Sequence, residues 1–229
     1  MSDAPAVILF DLDDTLVDDS GSATECWQRA FAEHATPPGL ELEVRQVGVW
    51  YWADPERHRV GRADLPAAST TIVAAALERL GCPDRELASR IAVRYRALRD
   101  EAIDLFPGAV ETLERLRGDG VVLGLITNGG AGAQRAKIDR FGLEPLFDYV
   151  GIEGARGFGK PDPRAYATAV DSLGCDPAET WMVGDNLEWD VLAPQRHGIA
   201  GVWVNPSMRD PAAGAPLPWR VIGSVTELV

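Results

Sequence analysis

The sequence predicts an α/β protein: a parallel sheet with crossover helices, interrupted after its first strand by an all-helical insert. Three observations predict it. Short apolar runs at 7–10, 121–126, 180–183 and 201–204 read as strands buried on both faces. Helical periodicity separates the last three from one another, as in a βα alternation with right-handed crossovers. Between the first run and Phe106-Pro107-Gly108 lies a long stretch of helical spacing with no strand in it.

The first strand, Val7-Ile8-Leu9-Phe10, runs directly into Asp11-Leu12-Asp13-Asp14-Thr15-Leu16. Ligands of open α/β sheets bind beyond the carboxyl ends of strands, where Asp11 and Asp13 fall. Residues i and i+2 of an extended chain share a side, so both carboxylates can face one crevice. Crowded carboxylates repel, and a hard cation such as Mg²⁺, which takes oxygen ligands, relieves the repulsion. Asp14 reads as a turn residue.

In the insert, Ala23–His34, Thr70–Leu80 and Arg85–Asp100 are predicted helices, the last two separated by Gly81 and Pro83. The chain then returns to helix 108–117, strand 121–126 ending in Thr127-Asn128-Gly129-Gly130, and a helix to about Phe141-Gly142. A weaker strand over 147–152 follows, then helix 163–173, strand 180–183 ending at Gly184-Asp185, an irregular helix near 190–197 that contains Pro194, and strand 201–204. The Pro-rich stretch 206–218 reads as a surface loop. The domain reading is a core of residues 1–16 and 105–229 with a helical insert of 17–104. Charge supports two modules. Residues 20–104 carry 11 basic and 13 acidic side chains and the rest 11 basic and 22 acidic, so most of the net charge of −13 lies outside the insert.

That net charge disfavours nucleic acid polymers and anionic membranes as partners. No apolar run is long enough to span a bilayer, and Met1–Pro5 lack the features of a secretory leader. Three scattered cysteines, Cys26, Cys82 and Cys175, read as reduced thiols rather than a disulfide framework. The expectation is a cytoplasmic protein, monomer or homodimer. Only two of the 22 basic residues are lysines, Lys137 and Lys160. Lys160 lies in Gly157-Phe158-Gly159-Lys160-Pro161-Asp162-Pro163, just before a helix. Lys137 reads as a solvated helix lysine, and Asp18 and Asp19 as solvated hinge or cap residues.

Four segments, DLDDTL at 11–16, ITN at 126–128, GKPDP at 159–163 and GDNLEWD at 184–190, stand in order at the ends of predicted elements. In this they resemble the four motifs of the haloacid dehalogenase-like hydrolase superfamily, over essentially the whole chain. The resemblance implies a Rossmann-like core, Mg²⁺ as cofactor and a small phosphorylated substrate of the nucleotide or sugar phosphate class. It implies Asp11 as nucleophile and metal ligand. Asp13 would be acid and then base, its backbone carbonyl also binding metal. Thr127 and the backbone of Asn128 would hold the phosphoryl group, with Lys160 pairing to both phosphoryl and nucleophile. Asp185 would be a metal ligand, and Asp190 would complete its shell. Asp190 could instead be a plain helix N-cap.

Asp13 favours phosphoryl transfer over carbon–halogen cleavage, because family members of the latter type usually lack an acid/base Asp there. It does not separate a phosphatase from a phosphomutase. A receiver-type signalling domain also joins acidic residues, Thr, Lys and Mg²⁺, but keeps its phospho-accepting Asp on a middle strand and has no helical insert. A non-catalytic binding protein on the same scaffold is a third alternative, against which the intact motifs argue. The insert resembles the family's first type of cap, with hinges at 14–20 and 101–107; such a cap closes over the site and supplies specificity. Within it, Trp50, Trp52, Arg57, Arg59 and Arg62 could hold a ring and an anionic group, or could pack the cap and face solvent. His34, His58 and His197 have no metal-ligand spacing, and Trp189 reads as packing.

Overall fold

In the computed structural model, residues 5–211 and 216–229 are described; within the 206–218 loop, 212–215 lie outside the described residues. The chain divides into a core unit, up to Asp18 and from Leu105 onward, and a helical unit, Asp19–Asp104.

The core opens with β1 (Val7–Phe10), all four residues buried. Two-residue strands, β2 (Val17–Asp18) and β3 (Asp104–Leu105), mark where the chain leaves and re-enters this unit. In the helical unit, α1 (Ala23–Ala32), α2 (Leu40–Ala53), α3 (Pro55–Ala63), α4 (Leu65–Arg79) and α5 (Arg85–Ala102) follow one another. The core resumes with α6 (Ala109–Gly118), β4 (Val122–Thr127), α7 (Ala131–Arg140), β5 (Tyr149–Ile152), the single turn α8 (Glu153–Arg156), α9 (Pro163–Leu173), β6 (Thr180–Gly184), the turn α10 (Ala193–Gln195), β7 (Ala200–Val204) and β8 (Arg220–Ile222).

The sheet runs β5-β4-β1-β6-β7-β8 and every neighbouring pair is parallel. The α/β class with a parallel sheet and a helical insert is therefore as the sequence predicts. From β1 the chain builds outward through β4 and β5, then crosses to the other side for β6, β7 and β8. Strand order reverses beside β1, and in open α/β sheets ligands bind beyond the strand ends at such a switch point. Registers Phe10↔Leu125 and Phe10↔Val183 bring the ends of β4, β1 and β6 level there.

Alternation along β1 splits its side chains between the two faces. Val7 and Leu9 pack with Ile126, Tyr149, Met182 and the α9 residues Ala165, Tyr166 and Ala169. Gly124 of β4 is fixed by packing: a Cβ there would lie 2.6 Å from Leu9 Cδ2.

The helical unit has its own core. Val44, Val47 and Tyr51 of α2, Ile72, Val73, Ala76 and Leu77 of α4, and Ala88, Ile91, Tyr95 and Leu98 of α5 are buried together. Each spacing keeps to one helical face. Asp54, Asp64 and Asp84 cap α3, α4 and α5 by accepting from Arg57, Ala67 and Leu87 N–H. Trp27 stacks on Tyr95 at 3.5 Å. The structure corrects the expectation of a solvated Asp19. Its carboxylate and backbone carbonyl both accept from the Arg99 guanidinium, itself buried on α5. No helix among the described residues is long and apolar enough to cross a membrane, and Cys26, Cys82 and Cys175 are all unpaired.

Candidate active site

Asp11 follows β1 and is held in place before its side chain does anything. Its N–H donates to Val183 O at 2.9 Å, continuing the β1–β6 ladder one residue further. Its carboxylate is almost completely buried. Oδ1 lies 2.6 Å from Lys160 Nζ, and Oδ2 accepts from Thr15 Oγ1 at 3.3 Å.

Lys160 is 1% exposed, and its ammonium also donates to Asp190 Oδ1 at 2.6 Å. Its backbone is tied down by a reciprocal pair: Asn128 Nδ2 donates to Lys160 O at 2.6 Å, and Lys160 N–H donates to Asn128 Oδ1 at 2.8 Å. Asn128 thus uses its side chain to hold the lysine loop against the end of β4. Gly159 permits this, since a Cβ would stand 2.4 Å from Asn128 Oδ1.

Asp185 follows β6. Its N–H donates to Thr15 Oγ1 at 3.1 Å and its carbonyl accepts from Trp203 Nε1 at 2.8 Å. Asp190 sits inside a π-helical turn, Leu187–Leu192, of the type that recurs at functional sites. The cap of that turn is Asn186, whose Oδ1 accepts from Trp189 N–H at 3.0 Å, so Asp190 is not the N-cap. Instead Asp190 Oδ2 accepts from Asn186 N–H at 3.0 Å and Oδ1 faces Lys160. Gly184 makes room: a Cβ would lie 2.3 Å from Asp190 Cγ. The Tyr166 hydroxyl of α9 donates to Trp189 O, which steadies the same turn.

Asp11, Asp185 and Asp190 each offer a carboxylate oxygen within 4.8 Å of the others'. Burial raises the Asp11 carboxyl to about 6 against the opposing pull of Lys160, with Asp190 adding to the rise. Burial raises Asp185 to about 8, aided by Asp11, Asp190 and Asp14. Burial also disfavours the Lys160 charge, but Asp11 and Asp190 more than offset it, leaving the ammonium above its ordinary range. Three carboxylates with one lysine form an excess of buried negative charge. An all-oxygen donor set of this kind suits a hard divalent cation such as Mg²⁺.

Asp13 keeps different company. Its Oδ1 lies 2.6 Å from Lys137 Nζ and its Oδ2 accepts from Gln134 Nε2 at 2.8 Å. Asp14, at φ +58°, takes the left-handed turn that separates the two settings. Thr127, the last residue of β4, is 1% exposed and its hydroxyl meets the Gln134 amide. Lys137 is not solvated as the sequence suggests: it is 9% exposed and ion-paired. Thr15, Gln134 and Lys137 are the site residues that sequence reasoning missed. Thr15 lies within the DLDDTL segment and was within its reach; the two α7 residues lie in a polar helical stretch with no local signal.

Part of the aromatic and arginine stretch makes contacts within the helical unit. Trp52 packs edge-on to Tyr51 at 5.0 Å. The Arg57 guanidinium lies 3.8 Å over the Trp50 ring and donates to Trp50 O at 2.8 Å. Arg59 pairs with Glu56. His197 stacks against Tyr166.

A family model described as haloacid dehalogenase-like hydrolase matches residues 5–198. A phosphoserine phosphatase of Thermus thermophilus is 37% identical over 191 residues, covering 82% of this chain and 68% of that protein. A glyceraldehyde 3-phosphate phosphatase of Methanopyrus kandleri is 31% identical over 205 residues, covering 85% and 82%. Among solved structures, the HAD-hydrolase YfnB of Bacillus subtilis, bound to magnesium, superposes with a TM-score of 0.76 over 98% of this chain and 97% of that one, at 22% identity.

Proposed function

We propose that this chain, which belongs to the haloacid dehalogenase-like hydrolase family, is a Mg²⁺-dependent phosphatase that hydrolyses a small phosphorylated metabolite through an aspartyl-phosphate. The observation that carries this reading is the trio Asp11, Asp185 and Asp190 gathered around Lys160 at the switch point of the sheet. Two relatives named for phosphate monoesters of small metabolites support the substrate class. Unpaired cysteines support a cytoplasmic location.

The carboxylates of Asp11, Asp185 and Asp190, with the backbone carbonyl of Asp13, would hold Mg²⁺. The ion supplies charge neutralisation and alignment of ester and nucleophile, which otherwise repel. The Thr127 hydroxyl, the Asn128 N–H and the Lys160 ammonium bind the phosphoryl oxygens. An Asp11 carboxylate oxygen attacks phosphorus, and the bond from phosphorus to the leaving oxygen breaks. Asp13 gives its proton to that leaving oxygen, so an alcohol rather than an alkoxide departs. Asp13, now a carboxylate, takes a proton from water as the water oxygen attacks phosphorus. The bond between phosphorus and Asp11 breaks, phosphate leaves and both residues return to their starting states. Two moderate barriers replace one very high one. The reacting end of Asp11 stays correctly placed because Lys160 and Thr15 occupy its two oxygens from fixed directions.

The test is release of inorganic phosphate from a panel of nucleoside 5′-monophosphates, sugar phosphates, phosphoserine and glyceraldehyde 3-phosphate, with and without Mg²⁺. Mg²⁺-dependent release from at least one ester, abolished in Asp11→Asn, is expected. No release from any member by folded, Mg²⁺-supplied protein would overturn the reading.

A further inference from the structure

Two side chains of α7 take no part in the steps above, yet both end on Asp13. Gln134 and Lys137 are three residues apart and so project from one helix face. Lys137 Nζ occupies Asp13 Oδ1 at 2.6 Å, and Gln134 Nε2 occupies Oδ2 at 2.8 Å. The same Gln134 amide meets Thr127 Oγ1 and, at 2.9 Å, the Asn128 carbonyl. Gln134 is 3% exposed and Lys137 9%. An exposed lysine–aspartate pair contributes little and holds no fixed geometry. A lysine this buried is a different case, because removal from water disfavours the ammonium unless a partner compensates. That partner here is Asp13.

We infer that Gln134 and Lys137 are positioning residues that clamp the Asp13 carboxyl for proton delivery to the leaving oxygen; the inference rests on the phosphatase reading. With a donor on each oxygen, the carboxyl cannot rotate about its bond to Cβ without losing both contacts. A carboxyl group has about four acceptor directions, so the two donors leave others open toward the leaving oxygen. Gln134 also joins Asp13 to Thr127 and Asn128, the residues assigned to the phosphoryl group. Acid and phosphoryl cradle are thereby held in one hydrogen-bonded unit. A correctly placed general acid contributes about 10²–10⁴-fold in rate, and misplacement by about 1 Å can cost on the order of 10²-fold. The clamp therefore matters most where the leaving group needs a proton and least where it does not.

The test compares phenyl phosphate with 2,4-dinitrophenyl phosphate, whose leaving phenolate is stable unprotonated, at saturating Mg²⁺. The quantity is kcat/KM, which reports the steps through departure of the leaving group. Lys137→Met is expected to lower the value for phenyl phosphate roughly tenfold more than for the dinitrophenyl ester, toward the discrimination shown by Asp13→Asn. Lys137→Arg is expected to remove part of that discrimination by restoring the charge. Gln134→Met repeats the pattern more weakly, and it decides the matter if Lys137→Met does not fold. Equal falls for the two esters in the folded variants would overturn the clamp and leave the phosphatase reading standing. Failure of the wild-type protein to release phosphate from these two esters and from every member of the metabolite panel would overturn both.

Discussion

Lys160 is the residue on which the electrostatics of the site turn. Its ammonium is shared by Asp11 and Asp190 at 2.6 Å each, in a place where neither carboxylate is solvated. Breaking a buried pair by removing one partner costs about 3–5 kcal/mol, because it strands the remaining charge. Lys160→Met is therefore expected to lower the melting temperature of the metal-free protein and to reduce kcat by on the order of 10²–10³-fold. Thermal melts with and without Mg²⁺ check the first effect and steady-state kinetics the second. The two lysines also show what a sequence can reveal about single residues. Lys160 is legible because it stands in an ordered motif before a helix. Lys137 is not, because its partner is 124 positions away and its helix, AGAQRAKIDR, has the polar composition of a solvent-facing one. Burial there comes from tertiary packing and leaves no local trace.

Among the elements, β1, β4 and β6 were legible because each is a short apolar run ending in a polar residue. Asp11, Thr127 and Asp185 all mark such ends, and their convergence follows from a parallel sheet whose strand ends lie level. Helices α2 and α3 were less so. The buried face of α2 does follow a helical period, and Asp54-Pro55 is a usual helix start, but the Trp and Arg residues around that junction read equally well as a ligand patch. Strand β8 is three residues long and follows the Pro-rich loop, too short for a periodicity to show. The π-helical turn over Leu187–Leu192 was visible only as irregularity near Pro194. It is this element that presents Asp190, and Tyr166 of α9 braces it. Tyr166→Phe removes that brace at a cost of about 1 kcal/mol in stability. The predicted result is a melting temperature lower by a few degrees and a several-fold lower affinity for Mg²⁺, measured by calorimetric titration. Unchanged Mg²⁺ affinity would show that the turn holds Asp190 without the tyrosine.

For the whole molecule, the excess of negative charge at the site makes folding and metal binding interdependent. A ligand that binds the folded state alone stabilises it by RT ln(1 + [L]/Kd), or about 2.7 kcal/mol at a hundred times Kd. Mg²⁺ is thus expected to raise the melting temperature of the wild-type protein by several degrees. Chelation should reverse the rise, and Asp185→Asn should largely abolish it. Screening by bulk salt would give the same rise in both proteins. The proposed reaction requires Asp11 to take up the phosphoryl group, and trapping that group on it is the most direct measurement. Asp13→Asn protein, which retains the nucleophile but has lost the base, is mixed with 2,4-dinitrophenyl phosphate and Mg²⁺, quenched, treated with hydroxylamine and mapped by mass spectrometry. A hydroxamate is expected at Asp11 and none in Asp11→Asn. Modification at another residue, or a burst of dinitrophenolate with no acyl phosphate on Asp11, would contradict it.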